Sequence, residues 1–207
     1  MTVRKMAAIA AMLLSNGFIA AGIDQVTADD RAVMTAVIDG ALRSERDQAI
    51  RRGRGIATDR GPTGAVFLIL DQTVPACSGK GVREILGCIS VNGKDRRLLL
   101  ELKCDADSVQ IGQALGRRNR TSMLIRGQLA ADATIVSTDY ASNRQQLTEL
   151  RRQYARGSTL VAFSAPAYPK ANVAVVYYRA FDAGSGFVCL TRDGKGWTVR
   201  SRQNVVE

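Results

Sequence analysis

Residues 181–197 read FDAGSGFVCLTRDGKGW. The stretch holds Gly184-Ser-Gly186, then Gly194-Lys-Gly196 with Thr198 just beyond, which is the vocabulary of a phosphate cradle. A P-loop, however, needs Gly-x-x-x-x-Gly-Lys-Ser/Thr, with the lysine opening a helix after a strand. Here seven residues separate Gly186 from Gly194, a glycine follows Lys195, and the next segment has strand character. Amides converge on phosphate at a helix N-terminus, which a strand does not offer. The turn reading has its own mechanism: glycine supplies positive-φ positions, and Asp193-Gly194 is a tight-turn pair. The stretch therefore predicts two turns of an antiparallel meander joining β-rich runs at Asn172–Phe181, Phe187–Arg192 and Trp197–Arg202. In the last run Trp197, Val199 and Ser201 alternate with Thr198, Arg200 and Arg202, which predicts one buried and one solvated face. Seven of the eleven aromatic residues lie beyond residue 160, so the core is expected on this sheet.

Upstream of the meander, Thr27-Ala-Asp-Asp30 has the form of a capping box, and Val33, Met34, Val37, Ile38, Ala41 and Leu42 recur at helical spacing. They predict an amphipathic helix over about 29–46. A basic, glycine-rich loop follows from Arg51 to Gly64, and Ala65-Val-Phe-Leu-Ile-Leu70 reads as a buried strand. Between 75 and 104, Asn92-Gly93 could close a hairpin, but Val82, Ile85, Leu86 and Ile89 favour a helix that Asn92-Gly93 ends. Strands are expected at about 97–103, 122–128 and 133–138, and a weak helix at 106–118. Tyr140, Leu147, Leu150 and Tyr154 mark one stripe of a helix over 139–156, and Thr159–Ser164 reads as a strand. The expected fold is one α+β domain over 23–207, with an antiparallel sheet packed against two amphipathic helices.

The chain has 207 residues, with 46% hydrophobic and 23% charged content, ordinary for a folded protein. Its charge is unusual: 23 Arg and 6 Lys against 19 acids give a net +10, and histidine is absent. That absence closes Ser-His-Asp and Cys-His catalysis, His-ligated metal sites and His-based pH sensing. No Ser-x-x-Lys or Gly-x-Ser-x-Gly offers a serine nucleophile without histidine. No motif calls for a cofactor or a metal.

The N-terminus has the three parts of an export signal: Arg4 and Lys5, the apolar run Met6–Leu14, and small residues around Ala20–Gly22. The apolar run is shorter than the roughly 20 residues a membrane span needs, so a cleaved signal over 1–22 is expected, with no span in the mature chain. Its loss removes two basic residues and no acid, so the charge falls from +10 to +8. Periplasmic or secreted localisation follows. Four cysteines, Cys77, Cys88, Cys104 and Cys189, suit an oxidising compartment and two disulfides, with three connectivities open. The short loop favours Cys77–Cys88, whereas Cys189, in an apolar run, also fits a buried free thiol.

Two groups of residues remain as candidates for function. Arg51, Arg52, Arg54, Arg117, Arg118, Arg120, Arg151 and Arg152 are the candidates for a polyanion-binding face. Glu101, Asp105 and Asp107 could form a carboxylate pair of the kind that hydrolyses glycosides, although a solvated strand end and a helix cap are the favoured account of them. Asn119-Arg-Thr121 spells a glycosylation sequon, which matters only in a eukaryotic secretory pathway. The expected function is therefore a non-enzymatic exported binding or accessory module. The partners in view are anionic polymers or another envelope protein, and the alternatives are a polyanion binder or a small carboxylate hydrolase.

The C-terminal segment also resembles an uncharacterised family of small exported bacterial proteins. The residues that carry the likeness are Leu160-Val-Ala-Phe-Ser164, Ala174-Val-Val-Tyr177, Gly184-Ser-Gly186, Phe187-Val-Cys-Leu190 and Gly196-Trp-Thr-Val199. The resemblance implies an exported protein ending in a β-meander, and it brings no site residues with it.

Overall fold

The computed structural model describes residues 24–44, 46–47, 66–77, 88–89, 99–139, 144–154, 158–181 and 184–205. The proposed signal (1–22), the loop bearing Arg51, Arg52 and Arg54, and all of the 82–92 segment but Cys88 and Ile89 lie outside these residues.

Helix α1 (Ala28–Val37) begins where the sequence says it should. Thr27 Oγ1 accepts from the Asp30 amide at 3.1 Å, and the Asp30 carboxylate accepts from the Thr27 amide at 2.8 Å. This reciprocal cap satisfies two amides that the first helical turn leaves orphaned. The helix then widens into a π-helical turn over Ile38–Leu42, whose end is marked by Arg43 N–H donating to Ile38 O, five residues back. Helix α2 (Ser108–Arg118) is capped by Asp107, whose carboxylate accepts from the Val109 and Gln110 amides. Helix α3 (Arg144–Gln153) is the third.

Among the described residues, seven strands form one sheet: β1 (Phe67–Leu70), β2 (Ala133–Val136), β3 (Thr159–Phe163), β4 (Ala167–Lys170), β5 (Val173–Ala180), β6 (Gly184–Asp193) and β7 (Gly196–Val205). Their order is β2-β1-β3-β5-β6-β7, with β4 beside β5. The fold is α+β, and its C-terminal half is the antiparallel meander read from the sequence. The sheet as a whole is mixed, because β1 pairs parallel with both β2 and β3. The connections from β1 to β2 and from β2 to β3 carry α2 and α3, long enough for the crossovers that parallel pairing requires. Two expected strands are corrected. Residues 99–101 form a helical turn, and around 122–128 only Leu124 makes isolated bridges, to Gln25 and Gln72.

Each face of the sheet buries its own core. On one, Val33, Met34, Val37 and Ile38 of the α1 region pack on Phe67, Ile69, Val161, Phe163, Val176, Tyr178 and Trp197. On the other, Ile111 and Leu115 of α2 and Leu150 of α3 pack on Leu68, Leu70, Leu160, Val175 and Phe187. Two disulfides staple the structure. Cys77–Cys88 closes an 11-residue loop, and Cys104–Cys189 ties the segment before α2 to the middle of β6 across 85 residues. No cysteine is free, so Cys189 is a bridge and not a buried thiol. No helix among the described residues is long and apolar enough to cross a membrane.

Candidate functional site: a groove between the first helix and the last strand

The site begins with an irregularity in β7. Trp197 and Val199 oppose Arg192 and Leu190, and both contribute to the core beneath α1. Ser201 then opposes Cys189, the residue next to Leu190, so Arg200 has no partner across the ladder. One extra residue in one strand is a β-bulge, and because side chains alternate with period two, it exchanges the faces beyond it. Ser201 consequently lies on the α2 side, where its hydroxyl donates to Lys103 O at 2.6 Å, and Gln203 Nε2 donates to Glu101 at 2.9 Å on that same side. Arg202 and Asn204 come to the α1 side. Arg202 sits over the Tyr178 ring at 5.3 Å, and Asn204 Oδ1 accepts from the Tyr178 hydroxyl at 3.5 Å. The simple alternation expected for Trp197–Arg202 is thus broken at Arg200, and Ser201 and Arg202 lie on the faces opposite to those it assigned.

The other wall is the π-helical turn. A β-carbon on Gly40 would stand 2.8 Å from Val199 Cγ2, so only glycine lets the helix approach β7 this closely. Beyond that contact the two elements part and leave a cleft of about 510 Å³ lined by Gly40, Ala41, Ser44, Val199, Arg202, Gln203 and Asn204. That volume is in the range of small-ligand sites. Its lining places a hydroxyl, an amide and a guanidinium beside Ala41 and Val199. These groups can bind a polar or anionic partner, and none is a nucleophile–base pair or a carboxylate pair.

A second cluster lies at the start of α1. Asp30, with no exposed surface, accepts from Arg118 at 2.6 Å and from the Tyr168 hydroxyl at 2.9 Å, besides capping Thr27. Burial, followed by the Asp30 charge, holds the Tyr168 phenol protonated well above its usual range. Asp29 accepts from Trp197 Nε1 at 3.0 Å, and Arg192 lies over the same indole at 5.5 Å. Both Asp30 oxygens already have donors and Asp29 Oδ1 accepts from Trp197, so the cluster ties α1 to β4, β7 and the end of α2.

Of the described residues singled out from the sequence as candidates, none lines the cleft. Arg117 and Arg120 are exposed at the end of α2, while Arg118 is committed to Asp30. Arg151 and Arg152 lie on α3, which packs through Leu150 on the same face of the sheet as α2, the face opposite the cleft. Glu101, Asp105 and Asp107 are all exposed, the first bonded to Gln203 and the last capping α2. Asn119 is fully buried, with Nδ2 donating to Leu115 O and Ala165 O and Oδ1 accepting from Ala165 N, so the sequon is sealed. The opening glycines are structural. Ser185 is buried within β6, and a β-carbon on Gly186 would stand 2.8 Å from Gln203 O. Sequence reasoning missed Gly40, Arg202 and Asn204; an isolated glycine inside a helical pattern was the one signal that could have pointed there.

The chain matches no family model, and no curated protein or solved structure shows significant similarity to it. The site is therefore read from its own geometry.

Proposed function

We propose that the chain is an exported, disulfide-stapled binding module that works in the periplasm or outside the cell. The observation that carries this reading is the cleft between the π-helical turn and β7, whose donors and acceptors are arranged for recognition without a group that could attack or shuttle a proton. Two irregularities, a π-turn and a β-bulge, converge on that cleft, and both devices cluster at functional sites. The two disulfides agree with an oxidising compartment, and the basic, apolar, small-residue order of residues 1–22 supports export by a cleaved signal. Expression of the full chain tests the export claim. The product should be periplasmic or secreted, should lack the first 22 residues by mass, and should resist alkylation until reduced. A cytoplasmic, unprocessed and fully alkylated product would end this reading.

Polyanion binding is the second reading, supported by the net charge of +10 and by the exposure of Arg117 and Arg120. It requires heparin or DNA affinity that falls steeply with salt but survives at physiological ionic strength. Retention lost well below that strength would remove it.

A further inference from the structure

The groove has the form of a strand-acceptor site. β7 is the last strand of the sheet and, at ten residues, one of its two longest; among the described residues it has no neighbour on its outer edge. Such an edge offers a row of main-chain donors and acceptors. Three consecutive residues of that strand, Arg202, Gln203 and Asn204, line the cleft. Gln203 turns its side chain to the other face, toward Glu101, so it reaches the groove through its backbone. Opposite stand Gly40, Ala41 and Ser44 of the helical wall. A channel with an edge strand on one side and a helix on the other takes an extended chain: the backbone adds to the sheet, and alternate side chains fall between strand and helix. Three strand residues span about 10 Å at ~3.3 Å each, enough for three or four residues of a guest.

Charge selects the guest. β7 carries Arg200 and Arg202 and no acid, and Lys195 precedes it in the turn. Asp193, the acid before the strand, accepts from the Lys195 amide at 2.8 Å within that turn, and Glu207 follows the strand in sequence. A second copy of the chain would bring an identical basic edge, and like charges placed opposite each other repel. An acidic strand meets the opposite situation.

We propose that the groove between β7 and the π-helical turn binds an extended acidic segment of a partner protein by strand addition, with an acidic side chain directed to the Arg202 side of the channel. This rests on the binding-module reading and names the partner class for it. The bulge at Arg200 serves it by turning Arg202 and Asn204 toward the helix while leaving the outer edge of the strand to the guest.

The test is fluorescence anisotropy on the oxidised protein at physiological salt, with a labelled heptapeptide, acetyl-Thr-Glu-Val-Glu-Val-Glu-Thr-amide, and two analogues. One analogue carries Lys in place of each Glu, and the other is N-methylated at alternate amides. The parent should bind, and each analogue should bind at least tenfold more weakly. Ser44→Phe, which narrows the helical wall at an exposed position, and Arg200→Glu should each weaken the parent at least fivefold while leaving the unfolding midpoint unchanged. Equal affinity for the parent and the N-methylated analogue would overturn strand addition and leave only charge attraction. A β7-mediated dimer that the peptide fails to dissociate in sedimentation would overturn it in favour of self-pairing. Failure of all three peptides to bind, with small polar or anionic compounds still raising the melting temperature in a Ser44-dependent way, would overturn the peptide class and spare the binding-module reading. Failure of both would remove that reading as well.

Discussion

Asp30→Asn is expected to be among the costliest single-atom-scale changes available in this protein. The wild-type carboxylate has no exposed surface and accepts from Arg118, the Tyr168 hydroxyl and the Thr27 amide. An asparagine keeps the shape but has one acceptor oxygen, turns an amide N–H toward donors, and leaves the Arg118 cation without its counter-charge. Removing one partner of a fully buried pair costs ~3–5 kcal/mol. The Arg118 side chain is 32% exposed, so water compensates it in part and the lower end applies, about 3 kcal/mol. For a chain of this size that corresponds to a fall of about 6–12 °C in melting temperature. Asp29→Asn is the internal control. Its carboxylate is 40% exposed and its Arg192 partner 53%, so the expected cost is under ~1 kcal/mol. Urea unfolding of the oxidised proteins, followed by the fluorescence of the single tryptophan, Trp197, measures both. A loss below about 0.5 kcal/mol for Asp30→Asn, within the range of an ordinary surface change, would refute the assignment of this carboxylate as the tie between α1, α2 and β4. So would an Asp29→Asn cost equal to it.

Three further outcomes follow from the same structure. Replacing Cys104 and Cys189 by alanine opens an 85-residue loop and should cost about 4–5 kcal/mol, against about 3 kcal/mol for the 11-residue loop of Cys77–Cys88, with the order read from urea midpoints. Gly40→Ala gains helix propensity but places its β-carbon 2.8 Å from Val199 Cγ2, so a net loss of ~1 kcal/mol is expected, and adding Val199→Ala should recover it; failure of that rescue in thermal unfolding would refute the close-contact account. The Tyr168 phenol is raised above its model-compound value of 10.0 by burial and by Asp30, so its contribution to stability is full below that pH and is lost as pH climbs from there toward the folded value. The stability advantage of wild type over Tyr168→Phe should therefore shrink between about pH 9 and about pH 11, and a constant gap would contradict it.

What the sequence discloses of this fold depends on how local the cause is. Thr27 to Asp30 spells a cap, and the cap forms. Ala65–Leu70 and Thr159–Ser164 are apolar runs, and β1 and β3 lie in them because a strand buried on both faces needs no alternation. The runs within and around FDAGSGFVCLTRDGKGW become β5, β6 and β7, although Gly184–Gly186 pair within β6 and do not turn. Non-local causes leave no such trace. That β1 lies between β2 and β3 follows from packing against α2 and α3, and no residue of β1 announces it. Leu99–Glu101 has the apolar content of a strand, yet it forms a helical turn against the α2 side of the sheet. The bulge at Arg200 carries no glycine to mark it, so the alternation read from Trp197 to Arg202 continues on paper past the point where the ladder breaks it.

That break is the most informative feature of the molecule, because stability alone gives little reason for it. A regular β7 would keep Val199, Ser201 and Gln203 under the helix and send Arg200, Arg202 and Asn204 to the other face. Such a strand needs no bulge. Instead two elements depart from regular geometry at the same corner, each by one residue's worth of backbone: the helix widens by one residue per hydrogen-bonded turn, and the strand carries one residue without a partner. Local departures that agree with each other and leave a cleft between them are where a fold gives up regularity for a task. The glycine-rich stretch that resembled a phosphate cradle does the opposite. It lies within the ladder itself, where the missing side chain of Gly186 lets β6 pass close to Gln203 O of β7.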